Sequence, residues 1–275
     1  MKPELYTGRP LAAGVPSLES RGADYQADHQ ISHPFTKAVV DCVDRLVALA
    51  GDRRRALVVG CGPQPMAVKD LLDRGFDAFA IEPVEDSVGR AQAFLSAPHR
   101  VRQGTCERLP FPDASFGFVL MESVLEHVDS PSLALAEVCR VLQPGGVIYI
   151  YTTNRWKFSP RGFTGEYSVR FINWFPRIVQ ESYVFQMLHY DPQLANYNAR
   201  PAVHWFSFPD LCRLGREAGF AQFYSPLDLI DESSPFVGDS RIRRFVLNRV
   251  RYRPWLRALA LTQSGGAIFM YKRPA

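Results

Sequence analysis

Two glycines and an acid stand where they could bind a nucleoside. The apolar run 56–59 leads directly into Gly60, Cys61 and Gly62. Glycine lets the chain leave a buried strand in a tight turn and lets the backbone approach a ligand closely. A second apolar run, 78–81, ends at Glu82, roughly 20 residues after Gly60, and an acid at that offset can accept both hydrogen bonds from a ribose diol. The spacing predicts a nucleoside site where two buried parallel strands end.

The residues that follow Gly62 argue against a dinucleotide. The dinucleotide fingerprint places a third glycine where this chain has Pro65. Pro63 and Pro65 also lack the backbone N–H groups that would bind a pyrophosphate. We therefore expect a ligand without a phosphate group, which disfavours a nicotinamide-dependent oxidoreductase. We expect a helix after this turn, and the partial positive charge at its N-terminus would favour binding of a carboxylate group on the ligand.

Three longer motifs occur further along the chain. They are Leu-Pro-Phe-Pro-Asp-x-Ser-Phe at 109–116, Leu-Glu-His-Val at 125–128 and Arg-Val-Leu-x-Pro-Gly-Gly at 140–146. In this order and spacing they resemble the class I S-adenosylmethionine-dependent methyltransferases, in particular the group with quinone-biosynthesis and polysaccharide-cluster enzymes. The resemblance is strong over about 53–154. It implies an α/β, Rossmann-like fold with a seven-stranded, mostly parallel sheet, helices on both faces, and a helical and aromatic insertion after strand five.

The resemblance also implies S-adenosylmethionine as the cofactor and S-adenosylhomocysteine as its product. The residues that it assigns to cofactor binding are Gly60, Cys61, Gly62, Gln64, Glu82, Pro83, Thr105, Cys106, Glu107, Glu122 and Ser123. Three positions depart from the family: Val58 replaces an acid that would meet the methionine ammonium, Gln64 replaces a glycine, and Thr105 replaces an Asp that would meet the adenine amine. Glu122 either takes over the ammonium contact that Val58 has lost or is an ordinary solvated carboxylate.

Methyl transfer mainly requires that donor and acceptor be aligned in a dry site, and a base is needed only for a hydroxyl acceptor. His127 and His204 are the catalytic candidates and His189 is a third, although spacing does not select among them. In the resembling family the histidine at position 127 is often structural. A nucleic-acid substrate is disfavoured, because 121–124 lacks the Asn/Asp-Pro-Pro-aromatic loop that such enzymes share.

The acceptor is therefore expected to be a small molecule, a lipid-linked molecule or a glycan, and its methylated atom stays open. The departures at Val58, Gln64 and Thr105 motivate an alternative in which the chain keeps the fold as a binding or regulatory protein without catalysis. The oligomeric state is not indicated by any pattern.

Length and composition favour one large domain. The chain has 275 residues, 47% of them hydrophobic, which suffices for a single α/β core with insertions. Residues 1–22 lack periodicity and are expected to form a flexible arm, whereas 23–275 form the domain. Tyr25 and His29 are either part of a lid over the cofactor, as in the resembling family, or surface residues. The aromatic stretch 155–205 is expected to cover the substrate.

The cysteines and histidines do not predict a metal site. Five cysteines are scattered without a Cys-x-x-Cys pair and are expected to be reduced. His29 and His33 are the only histidines at i, i+4 spacing, and no acid or cysteine set accompanies them. The chain also lacks a run of 18 apolar residues and a charged-then-apolar signal pattern, so we expect a cytoplasmic protein.

Positive charge is concentrated towards the end of the chain. From Ser240 onward there are nine basic residues and no acid. Apolar residues interleave with arginines over 240–262, which is typical of a segment that lies on an anionic membrane surface or binds an anionic substrate. A surface helix packed on the sheet would show the same pattern. We expect this basic segment to bring a lipid-linked or otherwise anionic acceptor to the site, with peripheral contact at the inner membrane surface left open.

Overall fold

A computed structural model describes residues 33–46, 54–158, 170–186, 202–229, 248–250, 252–262 and 266–273. The strands in the described residues are β1 Arg55–Val59, β2 Asp77–Glu82, β3 Val101–Gln103, β4 Phe116–Glu122, β5 Leu142–Tyr151, β6 Phe220–Tyr224 and β7 Ile268–Lys272. The α-helices are α1 His33–Leu46, α2 Met66–Asp73, α3 Glu85–Leu95, α4 Pro131–Val141, α5 Arg177–Gln186, α6 Phe208–Ala218, α7 Pro226–Leu229 and α8 Pro254–Leu261. The arm 1–22, Tyr25, His29 and His189 lie outside the described residues.

The strands form one sheet in the order β3-β2-β1-β4-β5-β7-β6. The first five are parallel, whereas β7 runs antiparallel between β5 and β6. This arrangement confirms the predicted seven-stranded, mostly parallel sheet. The carboxyl ends of β1, β2 and β4 consequently meet at one edge, which is where ligands bind in open α/β sheets.

Both faces of the sheet are buried, which explains the nearly continuous apolar strands. Alternate residues of β1 belong to different cores: Leu57 and Val59 face one side, and Ala56 and Val58 face the other. The first side is covered by α4 and α6, and the second by α1, α2 and α3. The apolar residues of 39–47 recur at helical spacing, which predicts a helix packed on the sheet, and Val39, Val40 and Val43 of α1 do lie in the second core.

Ser130 and Ser207 each precede a proline-containing helical pattern, which predicts that they cap the starts of two helices, and the structure confirms both caps. The Ser130 side chain accepts a hydrogen bond from the backbone N–H of Leu133 at the start of α4. At the start of α6, Ser207 and Asp210 form a reciprocal capping box, and α6 ends at Gly219 with a φ of 104°. Side-chain oxygens at these positions satisfy backbone N–H groups that have no partner within the helix.

Two element boundaries differ from the sequence pattern. The sequence after the glycine turn predicts a helix over about 64–74 with Pro65 in its first turn, but α2 starts at Met66 and Pro65 precedes it with a ψ of 65°. The pattern also predicts a strand over 222–230, whereas β6 ends at Tyr224 and α7 follows. The Asp228 carboxylate accepts hydrogen bonds from the backbone N–H and the hydroxyl of Ser225, which turns the chain out of the sheet.

Replacing Ser207 with alanine should lower the free energy of unfolding by about 1–2 kcal/mol, because the start of α6 would lose its side-chain acceptor. The measurement is urea unfolding. Arg213→Ala on the same helix is the matched control, since its pair with Glu217 is solvent-exposed and contributes little. Equal losses in the two variants would show that the capping box does not stabilise this helix.

Candidate active site

The turn after β1 depends on its two glycines. Gly60 and Gly62 have φ values of 68° and 63°, a region that disfavours side chains. The N–H groups of Gly60 and Cys61 both donate to the Ile81 carbonyl, at 2.9 and 3.2 Å. A Cβ on Gly60 would lie 2.4 Å from Cγ2 of Val124, in the loop after β4. The predicted tight turn is present, and it brings the ends of β1, β2 and β4 together.

Glu82 is the last residue of β2, and its buried carboxylate joins two loops. One oxygen accepts a hydrogen bond from the N–H of Gly62 at 2.9 Å, and the other accepts from Val84 at 3.2 Å. Burial raises the pKa of this carboxyl group although both backbone hydrogen bonds lower it. Each oxygen keeps a second lone pair, so Glu82 can hold the glycine turn and still accept hydrogen bonds from a diol.

Glu122 is the last residue of β4 and faces the same side of the sheet as Val58. In the β1–β4 register Val58 pairs with Leu120, and Glu122 is two residues further along the strand. Its Oε1 is buried and has no hydrogen-bond partner among the described residues. Burial raises the pKa of this carboxyl group to about 7. A buried acceptor without a partner is costly, which points to a cationic or hydrogen-bonding ligand at this position.

The electrostatic effect of Glu122 reaches the neighbouring strand. Tyr149 of β5 pairs with Leu120 and therefore lies on the same face as Glu122. Burial raises the pKa of the Tyr149 hydroxyl, and the negative charge of Glu122 raises it further. Ionisation of Glu122 therefore places a negative charge in a region shielded from water, which is energetically costly. A cationic group on a ligand would offset that cost.

Four other predicted residues line the same edge of the sheet. Gln64 is half-buried in the turn before α2, and Pro83 is exposed after β2. Thr105 is exposed in the loop after β3. Ser123 is exposed with a φ of 51°, and its N–H donates to the Tyr151 carbonyl at 2.8 Å. These residues leave polar groups accessible beside Glu82 and Glu122.

The remaining predicted residues make structural contacts. The Cys106 thiol is buried in the core beneath α4, and burial raises its pKa. The Glu107 carboxylate accepts hydrogen bonds from the N–H groups of Asp129 and Ser130, at 2.8 and 3.5 Å, so it fixes the loop before α4. The half-buried Cys61 thiol also has a raised pKa because of burial. Only the backbones of Cys61 and Cys106 could contribute to a polar site.

The structure brings the two candidate bases, His127 and His204, to the loop after β4. His127 is buried, and its N–H donates to the Val124 carbonyl at 2.9 Å. The N–H of His204 donates to the Glu126 carbonyl at 3.3 Å, and its ring Nε2 lies 2.9 Å from the Val128 carbonyl oxygen. Because a carbonyl can only accept, Nε2 carries the proton, and Nδ1 is the basic nitrogen of a neutral His204.

Sequence reasoning missed a buried acid in this loop. Glu126 is 2% exposed, and its carboxylate accepts a hydrogen bond from the Thr152 hydroxyl at 2.6 Å. The Thr153 hydroxyl donates to the His204 carbonyl, also at 2.6 Å. The acid stands inside the Leu-Glu-His-Val motif, but its threonine partners are distant in sequence. These contacts fix the position of the His204 segment against the ends of β4 and β5.

Two further properties concern metals and membranes. Within the described residues no group of three or more His, Cys, Asp or Glu side chains is arranged to hold a metal ion. None of the helices described in the structure reaches the length and hydropathy that crossing a bilayer requires.

Comparisons with known proteins agree with this geometry. Residues 57–150 match the methyltransferase-domain family. An uncharacterised methyltransferase of Mycobacterium tuberculosis is 36% identical over 107 residues, which cover 38% of this chain and 42% of the relative. A ubiquinone biosynthesis O-methyltransferase of Dechloromonas aromatica is 28% identical over 145 residues, which cover 50% and 60%. The chain thus spans about half the length of these curated relatives.

A solved structure supports the fold over nearly the whole chain. In the complex between the Haloferax volcanii Trm112 methyltransferase activator and the putative methyltransferase, one chain matches with a TM-score of 0.54 and 17% identity, covering 94% of this chain and 98% of that one. The segment that matches the family contains the glycine turn, both acids and all three motifs. Residues 57–150 are thus similar to methyltransferase domains, and one relative that matches this chain is named a probable S-adenosylmethionine-dependent methyltransferase.

Proposed function

We propose that the protein transfers a methyl group from S-adenosylmethionine to a small-molecule, lipid-linked or glycan acceptor. The observation that carries this proposal is the buried Oε1 of Glu122, which has no hydrogen-bond partner in the described part of the chain. It lies one strand away from Val58, on the same face of the sheet, at the edge where β1 leads into the glycine turn and β2 ends at Glu82. Together these groups offer acceptors for both ends of the cofactor.

Each acid has a separate role in holding the cofactor. Glu82 accepts hydrogen bonds from the ribose hydroxyls while its two backbone contacts keep the carboxylate fixed. Glu122 pairs with the methionine ammonium and so replaces the acid that is missing at Val58. When bound, S-adenosylmethionine supplies an intrinsically reactive methyl group on a sulfonium. The main task of the protein is then to align the acceptor and exclude water.

A hydroxyl acceptor would also need a base. The relative from Dechloromonas aromatica is named an O-methyltransferase, which makes a hydroxyl acceptor the form that we favour. We favour His204 over His127 for removing the proton, because the side chain of His204 is half-buried whereas that of His127 is buried. The contacts of Glu126 and Thr153 with the backbone of His204 would hold its ring in place.

The alternative is a binding or regulatory protein that has lost catalysis. Its motive is the three departures at Val58, Gln64 and Thr105, and the position of Glu122 argues against the first of them. The basic segment 240–262 extends the proposal to the acceptor: we propose that it attracts an anionic, for example lipid-linked, molecule. Its described part contains α8, and the Arg257 guanidinium there forms an ion pair with Asp228.

The proposal is tested by thermal shift with S-adenosylmethionine, S-adenosylhomocysteine and NAD(P). Either sulfur compound at about 100 times its Kd should stabilise the protein by about 2.7 kcal/mol, whereas NAD(P) should not. Glu82→Ala should weaken binding about 10- to 100-fold, because it removes a charged acceptor from a partly dry site. Glu85→Ala, in the exposed first turn of α3, is the matched control. Stabilisation by NAD(P) alone would overturn the proposal, and no stabilisation at millimolar concentrations would favour the non-catalytic alternative.

Gly60→Ala should abolish cofactor binding and lower the melting temperature, because its Cβ would collide with Val124. Gly75→Ala is the matched control, since Gly75 also has a positive φ, of 79°, but a Cβ there meets nothing within 4 Å. Binding of S-adenosylhomocysteine is measured by calorimetry below both melting temperatures. If both variants bind equally well, the turn after β1 is not the cofactor site.

Cofactor affinity should depend on pH through Glu122. Its pKa is about 7 without ligand, and pairing with an ammonium group favours the charged form, so binding below pH 7 must release a proton. The affinity for S-adenosylhomocysteine should therefore fall by up to about tenfold per pH unit below 7 and level off above it. In Glu122→Gln the affinity at pH 8 should be lower and the slope should disappear. If the affinity of this variant still depends on pH, a group other than Glu122 causes the dependence.

A further inference from the structure

An apolar stretch is exposed just before α5 and in its first turn. Residues 174–179 are six consecutive exposed positions. Four of them are apolar: Trp174 is 44% exposed, Phe175 42%, Ile178 77% and Val179 45%. Single exposed apolar residues are common, but contiguous ones mark surfaces that bind something.

The described part of the basic segment carries a second exposed apolar set. Tyr252 is 79% exposed, Trp255 66% and Leu259 59%. Trp255 and Leu259 are four residues apart in α8 and therefore share one face of that helix, and Tyr252 lies just before it. Arg249 and Arg253 line a shallow cleft with Asn248 and Tyr252.

Two buried asparagines connect these sets. The Asn154 side-chain amide donates to the carbonyls of Leu261 and Thr262 at the end of α8, at 3.4 and 3.0 Å. The Asn173 amide, directly before the exposed stretch, donates to the carbonyls of Asn154, Arg155 and Lys157, at 3.3, 2.8 and 3.0 Å. Between them, Trp156 and Phe158 are 48% and 50% exposed. We call the exposed residues at 156–158, 174–179 and 252–259 the aromatic face.

The aromatic face carries an excess of positive charge, which indicates the kind of partner that it binds. Among the described residues in 154–158, 170–180 and 248–262 there is no acid. The cations there are Arg155, Lys157, Arg170, Arg177, Arg249, Arg253 and Arg257. Arg257 of this set forms an ion pair with Asp228. A second copy of the chain would bring cations against cations, whereas an anionic surface would be attracted.

We propose that the aromatic face binds the surface of an anionic phospholipid bilayer. Tryptophan and tyrosine favour the boundary between lipid head groups and acyl chains, and arginines beside them meet the phosphates. Asn154 lies at the carboxyl end of the sheet, close after β5, so the bilayer would adjoin the edge that holds the candidate active site. This inference extends the role proposed for the basic segment and does not depend on methyl transfer.

The first test uses the wild-type protein and two vesicle compositions. Vesicles of 30% phosphatidylglycerol in phosphatidylcholine should co-sediment the protein at low salt and release it at high salt, whereas pure phosphatidylcholine should not bind it. Three of the four tryptophans of the chain, Trp156, Trp174 and Trp255, lie on the aromatic face. Their fluorescence should therefore shift to the blue and be quenched by brominated lipid. Equal recovery with both vesicles, or unchanged fluorescence, would overturn the inference.

Two paired substitutions locate the contact. Arg249→Gln with Arg253→Gln should weaken partitioning about 30-fold, since each arginine near an anionic surface adds roughly fivefold. The control exchanges two exposed arginines elsewhere, Arg90→Gln with Arg213→Gln, and should bind like wild type. Trp174→Ser with Ile178→Ser should remove the fluorescence quenching. Its control is Leu133→Ser, on α4, where the side chain is 59% exposed.

If the paired variants and their controls lose vesicle binding to the same extent, the inference is overturned. Self-association that disappears in the Trp174→Ser, Ile178→Ser variant would overturn it too and assign the face to a second copy. The Gly60→Ala variant should bind vesicles like wild type without binding S-adenosylhomocysteine. Vesicle binding without cofactor binding in the wild type would contradict the proposed function alone.

Discussion

The carboxylate of Glu82 is the contact on which the geometry of the candidate site depends. Its two oxygens are bonded to the N–H groups of Gly62 and Val84, and so they join the loop after β1 to the loop after β2. Both loops change direction at the end of a buried strand, where backbone groups lose their partners in the sheet. One side chain satisfies a donor from each loop and remains able to accept from a ligand. The sheet supplies the framework, but this carboxylate sets the distance between the loops.

The second acid, Glu122, lies on the same face of the sheet as Val58 but on the neighbouring strand. Neighbouring strands in a parallel sheet present residues to the same face in a fixed register, so a ligand meets positions in space rather than positions in a motif. Val58 is apolar where the resembling family has an acid, and Glu122 of β4 provides a carboxylate on that face. Its raised pKa reflects the cost of keeping that charge in a dry place without a ligand. A motif comparison limited to the first loop would therefore underestimate this site.

Much of the fold could be predicted because its determinants are local. The glycine turn, the caps at Ser130 and Ser207, and the apolar strands all depend on residues close together in the chain. The contacts that escaped prediction join distant segments: Thr152 bonds to Glu126, and Asn154 bonds to the end of α8. Ser225 and Asp228 ended β6 early, since their hydrogen bonds compete with the sheet. Candidate binding residues were found by motif, yet only coordinates separate Cys106, in the core, from Glu122, at the ligand edge.

The side-chain amides of Asn154 and Asn173 hold the segments of the aromatic face in fixed positions relative to one another. Both side chains are buried and bond to backbone carbonyls, so the three exposed segments are anchored to one another through main-chain atoms. Because these segments are already held in place, they need little further ordering when they bind a partner, which reduces the entropic cost of association. Because Asn154 follows β5 closely, these hydrogen bonds also fix the distance between the aromatic face and the sheet. A partner bound to the aromatic face is therefore held at a constant distance from the ends of β4 and β5.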